Sequence, residues 1–315
     1  MKSAVICIVG YNRVYPLINL ISSVIELTKN KDDIEVIVSL DYSDMQNTIC
    51  DLLLSFKNNI RVIKHPKNLG LKKHIIQCGD ILLNEEYKYL LLLEDDLEIS
   101  PYIYDYIQEA LYAVKDQNNI AGISLYSYRI SEGDLLRFSP IEDGYDNYYL
   151  SFPSSWGQVW TPAMWKDFKD WFNINDCDYF NDESIPSYIN NWPKSSWKKH
   201  FLRYMVHKNK YFFYPRISLT NNNGLDGQNH KSAGNIWQVP ILQGSKKWNF
   251  STFDKSNSIY NSDFNQHDRK YYYAHLYQKI CLRYNENPFN VKSSIFILIL
   301  SIKRKFDIFL KRFKK

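Results

Sequence analysis

One run constrains this chain more than any other: Tyr89-Leu90-Leu91-Leu92-Leu93-Glu94-Asp95-Asp96-Leu97-Glu98. Its uncharged first part reads as a strand covered on both faces, the setting of an interior strand in a parallel sheet. Three carboxylates then stand side by side where the strand leaves the sheet, and their mutual repulsion calls for a counter-cation. A hard divalent ion with oxygen ligands answers that need. In open α/β sheets ligands bind beyond the carboxyl ends of the strands, which is where Glu94, Asp95 and Asp96 fall. The competing reading is a solvated acidic helix start, because Ser100-Pro101 and a helical pattern follow.

The flanking chain supplies a sheet for that strand. Ala4–Val9 is a strand by composition; Gly10-Tyr11-Asn12 turns, Arg13 follows, and a helical pattern runs from about Tyr15 to Leu27. Glu35–Leu40 is a second strand ending at Asp41, and Ile60–Lys64 a third. A helix from about Leu71 to Leu83 carries Lys72, Lys73 and His74 in its first turn. Cations there oppose the helix dipole, so they imply either an anionic ligand such as a phosphate or plain solvation. Four strand and helix alternations predict an α/β fold with a mostly parallel sheet of the nucleotide-binding kind. The glycine fingerprint of dinucleotide folds and the phosphate-cradling Gly-Lys-Ser/Thr loop are both absent, which assigns phosphate neutralisation to a metal and to side chains.

Further on, Ile120–Leu125 reads as a strand, Ala163–Phe172 as an aromatic-rich helix and Asn173–Ser196 as a long irregular region. With 315 residues, 45% apolar, the chain is long enough for a large core. Its five cysteines have no paired spacing, which fits a reducing compartment and suggests no zinc site. Met1-Lys2-Ser3 leads into an apolar run too short for a signal peptide, so a cytoplasmic location is expected. Seven Lys/Arg and one Asp lie between Lys303 and Lys315, leaving 32 basic and 33 acidic side chains elsewhere. The apolar stretch Ile295–Ile302 just before them falls short of the ~20 residues a bilayer span needs. Interleaved with Phe306, Ile308, Phe309, Leu310 and Phe313, the cations suit a helix lying on the anionic inner face of the plasma membrane, each contributing about 1 kcal/mol. A helix packed on the body with a solvated basic edge is the alternative. Nucleic acid is not expected, since the basic residues are confined to one terminus without an accompanying motif.

On these residues the chain resembles glycosyltransferases of the GT-A fold, in particular the N-acetylglucosaminyltransferase I type and bacterial capsule and lipopolysaccharide transferases. The resemblance spans about residues 4 to 232 and is carried by the stretch Leu91 to Tyr106. It implies that Asp96 ligates Mn²⁺ or Mg²⁺ on a nucleotide-sugar diphosphate, that Asp95 lies near the ribose or sugar, and that Glu94 supports both. By the same resemblance Arg13 and Asp41 contact the nucleotide, Lys73 or His74 the diphosphate, and Trp156-Gly157 belongs to the acceptor side, the ring stacking on a sugar, against a plain core role such as Trp160, Trp165 and Trp171 would share, and the glycine admitting the donor. His230 is the implied second metal ligand, against a surface-loop histidine.

One residue departs from the pattern: where the family has an aspartate as catalytic base after the tryptophan aligned with Trp197, this chain has Lys198. Asp226 is the expected substitute, against an ordinary Asp-Gly turn. The implied partners are a nucleotide-sugar donor, UDP-linked, and a glycan or lipid-linked acceptor of cell-surface polysaccharide synthesis. The expected organisation is a transferase domain over 1–236, with its nucleotide half to about 125, an extension over 237–292, and a basic amphipathic helix over 293–315. Two other classes remain open at this point: an inactive carbohydrate- or nucleotide-binding relative, motivated by Lys198, and a sugar nucleotidyltransferase, which would need a glycine-containing basic loop after the first strand.

Overall fold

Seven consecutive buried residues, Ala4–Gly10, form β1, and everything that positions the site is built outward from it. Helix α1, Val14–Thr28, returns across the sheet on Leu17, Leu20, Ile21 and Val24, the helical spacing of one apolar stripe. Strand β2 (Ile34–Leu40), helix α2 (Gln46–Leu53), strand β3 (Ile60–Lys64) and helix α3 (Leu71–Asn84) follow, and then β4, Tyr89–Glu94. The computed structural model describes residues 3–56, 60–177, 181–223 and 235–267. Asp226, His230 and the basic tail lie outside the described residues.

After β4 come the short strand β5 (Leu97–Ile99), helix α4 (Ile103–Val114), strands β6 (Ile120–Ser124), β7 (Asn147–Leu150) and β8 (Gln158–Trp160), and helices α5 (Pro162–Asn175), α6 (Ser187–Asn190) and α7 (Trp197–His207). Strands β9 (Tyr211–Pro215), β10 (Thr220–Asn222) and β11 (Ile259–Tyr260) complete the described chain. Nine strands form one sheet in the order β11-β7-β9-β6-β8-β4-β1-β2-β3. Its β3-β2-β1-β4 part is wholly parallel. Strand β8 runs against both β4 and β6, and β7 against β9. The result is a large, mostly parallel α/β sheet flanked by helices, the GT-A arrangement.

The parallel strands read as apolar runs because both faces are covered, and their bounds agree with the sequence pattern to within a residue or so. The structure differs from the expected organisation in one respect. The expected extension over 237–292 is not separate in its described part: residues 237–267 bring β11 alongside β7 and bury Trp248, Tyr260 and Phe264 in the same core. Two residues of strand among polar neighbours carry no periodicity from which a sheet position can be read. Among the described residues no helix is long and apolar enough to cross a membrane.

Candidate active site

The acids leave the sheet at the carboxyl edge of β4, beside the carboxyl end of β1, because Val9 and Glu94 are register partners. Between them stands Arg13, the residue before α1. It has no capping role for its side chain there, and it spans the turn to bond both Asp95 and, at 2.9 Å, Asp96. Asp95 and Asp96 are 3% and 8% exposed, so both charges need local compensation. Burial works against the charge of Arg13, but Asp95 and Asp96 outweigh it and hold its pKa above the ordinary value. Burial pushes Asp95 up to about 6, with Arg13 opposing and Asp96 adding to the rise. Glu94 is raised too, first by burial, then by Asp96 and Asp95, while Arg13 and Lys198 pull it back.

A small two-stranded sheet fixes the far side of Asp96. Strand β10 pairs antiparallel with β5, which brings Asn222 opposite Leu97. Asn223 donates its amide to the Asp96 carbonyl at 3.0 Å, and Asn222 Nδ2 reaches Asp96 Oδ2 at 3.4 Å. Asp96 Oδ1 is buried and takes no hydrogen bond among the described residues. An orphaned carboxylate oxygen within a cluster of three acids fits a hard, oxygen-seeking divalent cation. No group of three or more His, Cys, Asp or Glu with the geometry of a metal site occurs among the described residues, so a cation here would draw its other ligands from diphosphate and water, as Mg²⁺ commonly does.

The structure separates the remaining expected residues. Asp41, at the end of β2, accepts from the amides of Tyr42 (2.8 Å), Leu69 (2.8 Å) and Gly70 (3.1 Å). It therefore holds the loop entering α3, where Gly70 takes φ 73°, a conformation natural to glycine. His74 is buried with its Nε2 2.8 Å from Ser39 Oγ. Position 74 lies on the inward stripe of α3 with Cys78 and Ile81, so His74 is a core group below the cleft and not one offered to a diphosphate. Lys72 pairs with Asp176 at 3.0 Å, whereas Lys73 is exposed.

Strand β8 enters the sheet beside β4 with Gln158 opposite Leu92, so Trp156 and Gly157 emerge at the edge that carries Glu94. Gly157 has φ 84°, and a Cβ there would approach Thr220 Cγ2 to 2.9 Å. Thr220 Oγ1 donates to the Trp156 carbonyl at 2.6 Å, tying this corner to β10 and hence to Asp96. The Trp156 ring was expected to meet a sugar. It is 7% exposed and packs on Tyr126 (4.5 Å between centroids), Trp237 (5.8 Å) and Tyr128 (6.2 Å), so it is a core ring behind the corner that carries Gly157.

Sequence reasoning passed over the partners of Lys198. This lysine, in the first turn of α7, bonds Glu132 and lies 3.1 Å from Tyr128 Oη, with Phe152 and Trp192 rings 4.7 and 5.5 Å away. Glu132 sits in the loop after β6, 66 positions away in sequence, and only the charge of Lys198 at an unexpected place hinted at an acid opposite.

A family model described as glycosyl transferase family 2 matches residues 5–162, half of the chain. No curated protein matches. Among solved structures the chain is similar to S. aureus TarS 1-349, at 17% identity and a TM-score of 0.41, covering 71% of this chain and 61% of that one. It is also similar to GalNAc-T7 with UDP, GalNAc and Mn2+, at 12% identity and a TM-score of 0.49 over 70% of this chain and 43% of that one. The mannosyltransferase PcManGT of Pyrobaculum calidifontis, in complex with GDP-Man and Mn2+, is similar at 11% identity and a TM-score of 0.36, over 51% of this chain and 45% of that one. The chain thus spans less than two thirds of each of these proteins.

Proposed function

The chain belongs to glycosyl transferase family 2, and from that premise we propose that it is a glycosyltransferase that moves a sugar from a UDP-linked donor to a hydroxyl of a glycan or lipid-linked acceptor in cell-surface polysaccharide synthesis. The observation that carries the donor side is the arrangement of Asp95 and Asp96 around Arg13, with Asp96 Oδ1 left without a partner among the described residues. Asp96 would hold a Mn²⁺ or Mg²⁺ ion, with Glu94 and Asp95 adding negative field. When bound, such an ion supplies Lewis-acid neutralisation of the charge that develops on a departing diphosphate.

The chain's own residues do the rest. Arg13 places a fixed positive charge against the nearly buried Asp95 and Asp96, where a departing diphosphate's charge would develop. Lys73, exposed, adds a mobile one. Asp41 braces the loop entering α3, and Trp156 packs on Tyr126 behind the corner that would face an acceptor. From its sequence alone, the run Lys303 to Lys315 is proposed to seat the enzyme on anionic lipid at the inner face of the plasma membrane, where a lipid-linked acceptor resides. Deleting it should release the protein from phosphatidylserine vesicles, and undiminished binding would refute that seat.

The test of the main reading is a panel of UDP and GDP sugars offered with and without Mn²⁺. Thermal stabilisation by at least one donor, with metal-dependent release of the nucleoside diphosphate, is the expected result. Neither binding nor turnover with any of them would refute it.

A further inference from the structure

Attack by an acceptor hydroxyl on a sugar carbon requires a group that takes the hydroxyl proton, within hydrogen-bond reach of it. On the donor side the acids Asp95 and Asp96 are engaged by Arg13. Across the cleft edge a different carboxylate is available. The chain after β6 turns tightly, with Ile130 bridging Arg137 and the Ser131 amide donating to the Leu136 carbonyl at 2.9 Å. At that turn Glu132 is held, its side chain 13% exposed.

Both of its bonds fall on one oxygen. Tyr128 Oη donates to Oε1 at 2.6 Å, and Lys198 Nζ donates to the same atom. Among the described residues nothing donates to Oε2. A lysine in the first turn of α7 opposes the helix dipole. It is placed there by the carboxylate opposite and by the rings of Phe152, Trp192 and Tyr128, all within 6 Å of its Nζ. The pair reaches the strand-end acids through packed neighbours: the Tyr128 ring lies 6.2 Å from that of Trp156, whose carbonyl accepts from Thr220 Oγ1 at 2.6 Å on β10, the strand whose Asn222 reaches Asp96. Beside the pair Tyr188 packs against Gly133, where a Cβ would come within 2.5 Å of the ring, and its hydroxyl is buried with no partner among the described residues. An idle carboxylate oxygen, an idle hydroxyl and aromatic walls make a place suited to a hydroxyl-bearing ring.

We propose that Glu132 is the catalytic base, taking the acceptor proton on Oε2 while Lys198 and Tyr128 hold its other oxygen in place; this rests on the nucleotide-sugar reading above. In the step, the acceptor O–H bond breaks and its proton passes to Glu132. The acceptor oxygen forms the new bond to the sugar's anomeric carbon, and the bond from that carbon to the phosphate oxygen breaks, its electron pair leaving with the diphosphate. The proton then passes from Glu132 to solvent. Lys198, which departs from the family pattern, is on this account a positioning residue that keeps the carboxylate oriented.

Glu132→Gln keeps an acceptor oxygen for Lys198 and Tyr128 but cannot take a proton. With the nucleotide sugar that the wild type turns over, water serving as the default acceptor, kcat should fall by about 100-fold or more. The affinity for UDP, measured by calorimetry, should be unchanged. A kcat within tenfold of wild type overturns the proposal. Because Glu132→Gln leaves the lysine charge without its counter-ion, the double variant Glu132→Gln with Lys198→Met serves as the second measurement. Activity restored in the double variant marks a merely structural ion pair and overturns the proposal; activity still absent with donor binding intact supports it. Lys198→Met alone should lower kcat more than it alters KM for the donor. A wild type that neither binds nor turns over any nucleotide sugar refutes the donor reading and this one together, whereas an active wild type with an active Glu132→Gln refutes only the base.

Discussion

The two halves of the sheet are packed with different material. In β3-β2-β1-β4 the core is aliphatic, with Ile6, Ile8, Val36, Val38, Leu90 and Leu92 all nearly or fully buried. In β8-β6-β9-β7-β11 it is aromatic: Trp160, Trp165, Trp197, Tyr148, Tyr149, Tyr214 and Tyr260 are all less than 2% exposed. Branched aliphatic residues suit parallel strands covered by helices on both faces, and they hold strand ends in fixed register. The charges of Arg13, Asp95 and Asp96 gain their positions from that register. Rings with few rotatable bonds and polar tips make walls instead, and the Glu132–Lys198 pair is set among them. One half places charge and the other shapes a surface.

The strongest way to break this contrast is to remove charge from the aliphatic half without touching its packing. Asp96→Asn should lower transfer by about 10³-fold, since it removes the electrostatic role while keeping shape. Its melting temperature should change little, because the weakened bond to Arg13 is offset by relief of repulsion from the neighbouring acids; a variant with near-normal turnover would dissolve the distinction. Next come matched truncations, followed by urea denaturation. Trp160→Ala, which strips a ring stacked on Phe201 at 5.8 Å and packed on Trp165 at 4.8 Å, should cost about 3–5 kcal/mol. Leu92→Ala at the neighbouring strand should cost about 2–5 kcal/mol, and the first loss should be the larger if rings carry their half.

Acid sharpens the contrast further. Burial, with help from Lys72, pushes His200 on α7 down to about 4 from an ordinary value near 6.5. The unfolded chain therefore binds this proton first, so stability is complete above about pH 6.5 and is lost as the pH falls toward 4, by up to about 3 kcal/mol. His200→Gln should lose less stability than wild type between pH 7 and 4.5 in parallel denaturant titrations. The smallest effect belongs to an exposed charge. Lys73→Ala should weaken UDP binding only a few-fold, at under about 1 kcal/mol, and that loss should shrink further in added salt.

Legibility in the sequence followed the same division. The strands Ala4–Gly10 and Tyr89–Glu94 announced themselves as unbroken apolar runs, and Glu94 to Asp96 as acids at a strand end. Strand β8, three residues in a Trp-rich stretch, has no such signature, because its partners β4 and β6 are distant in sequence. His74 looked like a phosphate ligand since first-turn position counts in a linear pattern. The helix phase that turns it onto Ser39 is visible only once α3 is packed. Lys198 was read as a loss, and its meaning changed when the fold set it on Glu132.

By itself the sequence determined that this chain builds a mostly parallel sheet ending in a cluster of carboxylates, because apolar periodicity and the repulsion of adjacent like charges are local properties. Only the tertiary structure decided which cations answer those acids and where a further carboxylate stands. Arg13 meets Asp95 from 82 positions away and Lys198 meets Glu132 from 66, distances in sequence that only chain folding closes.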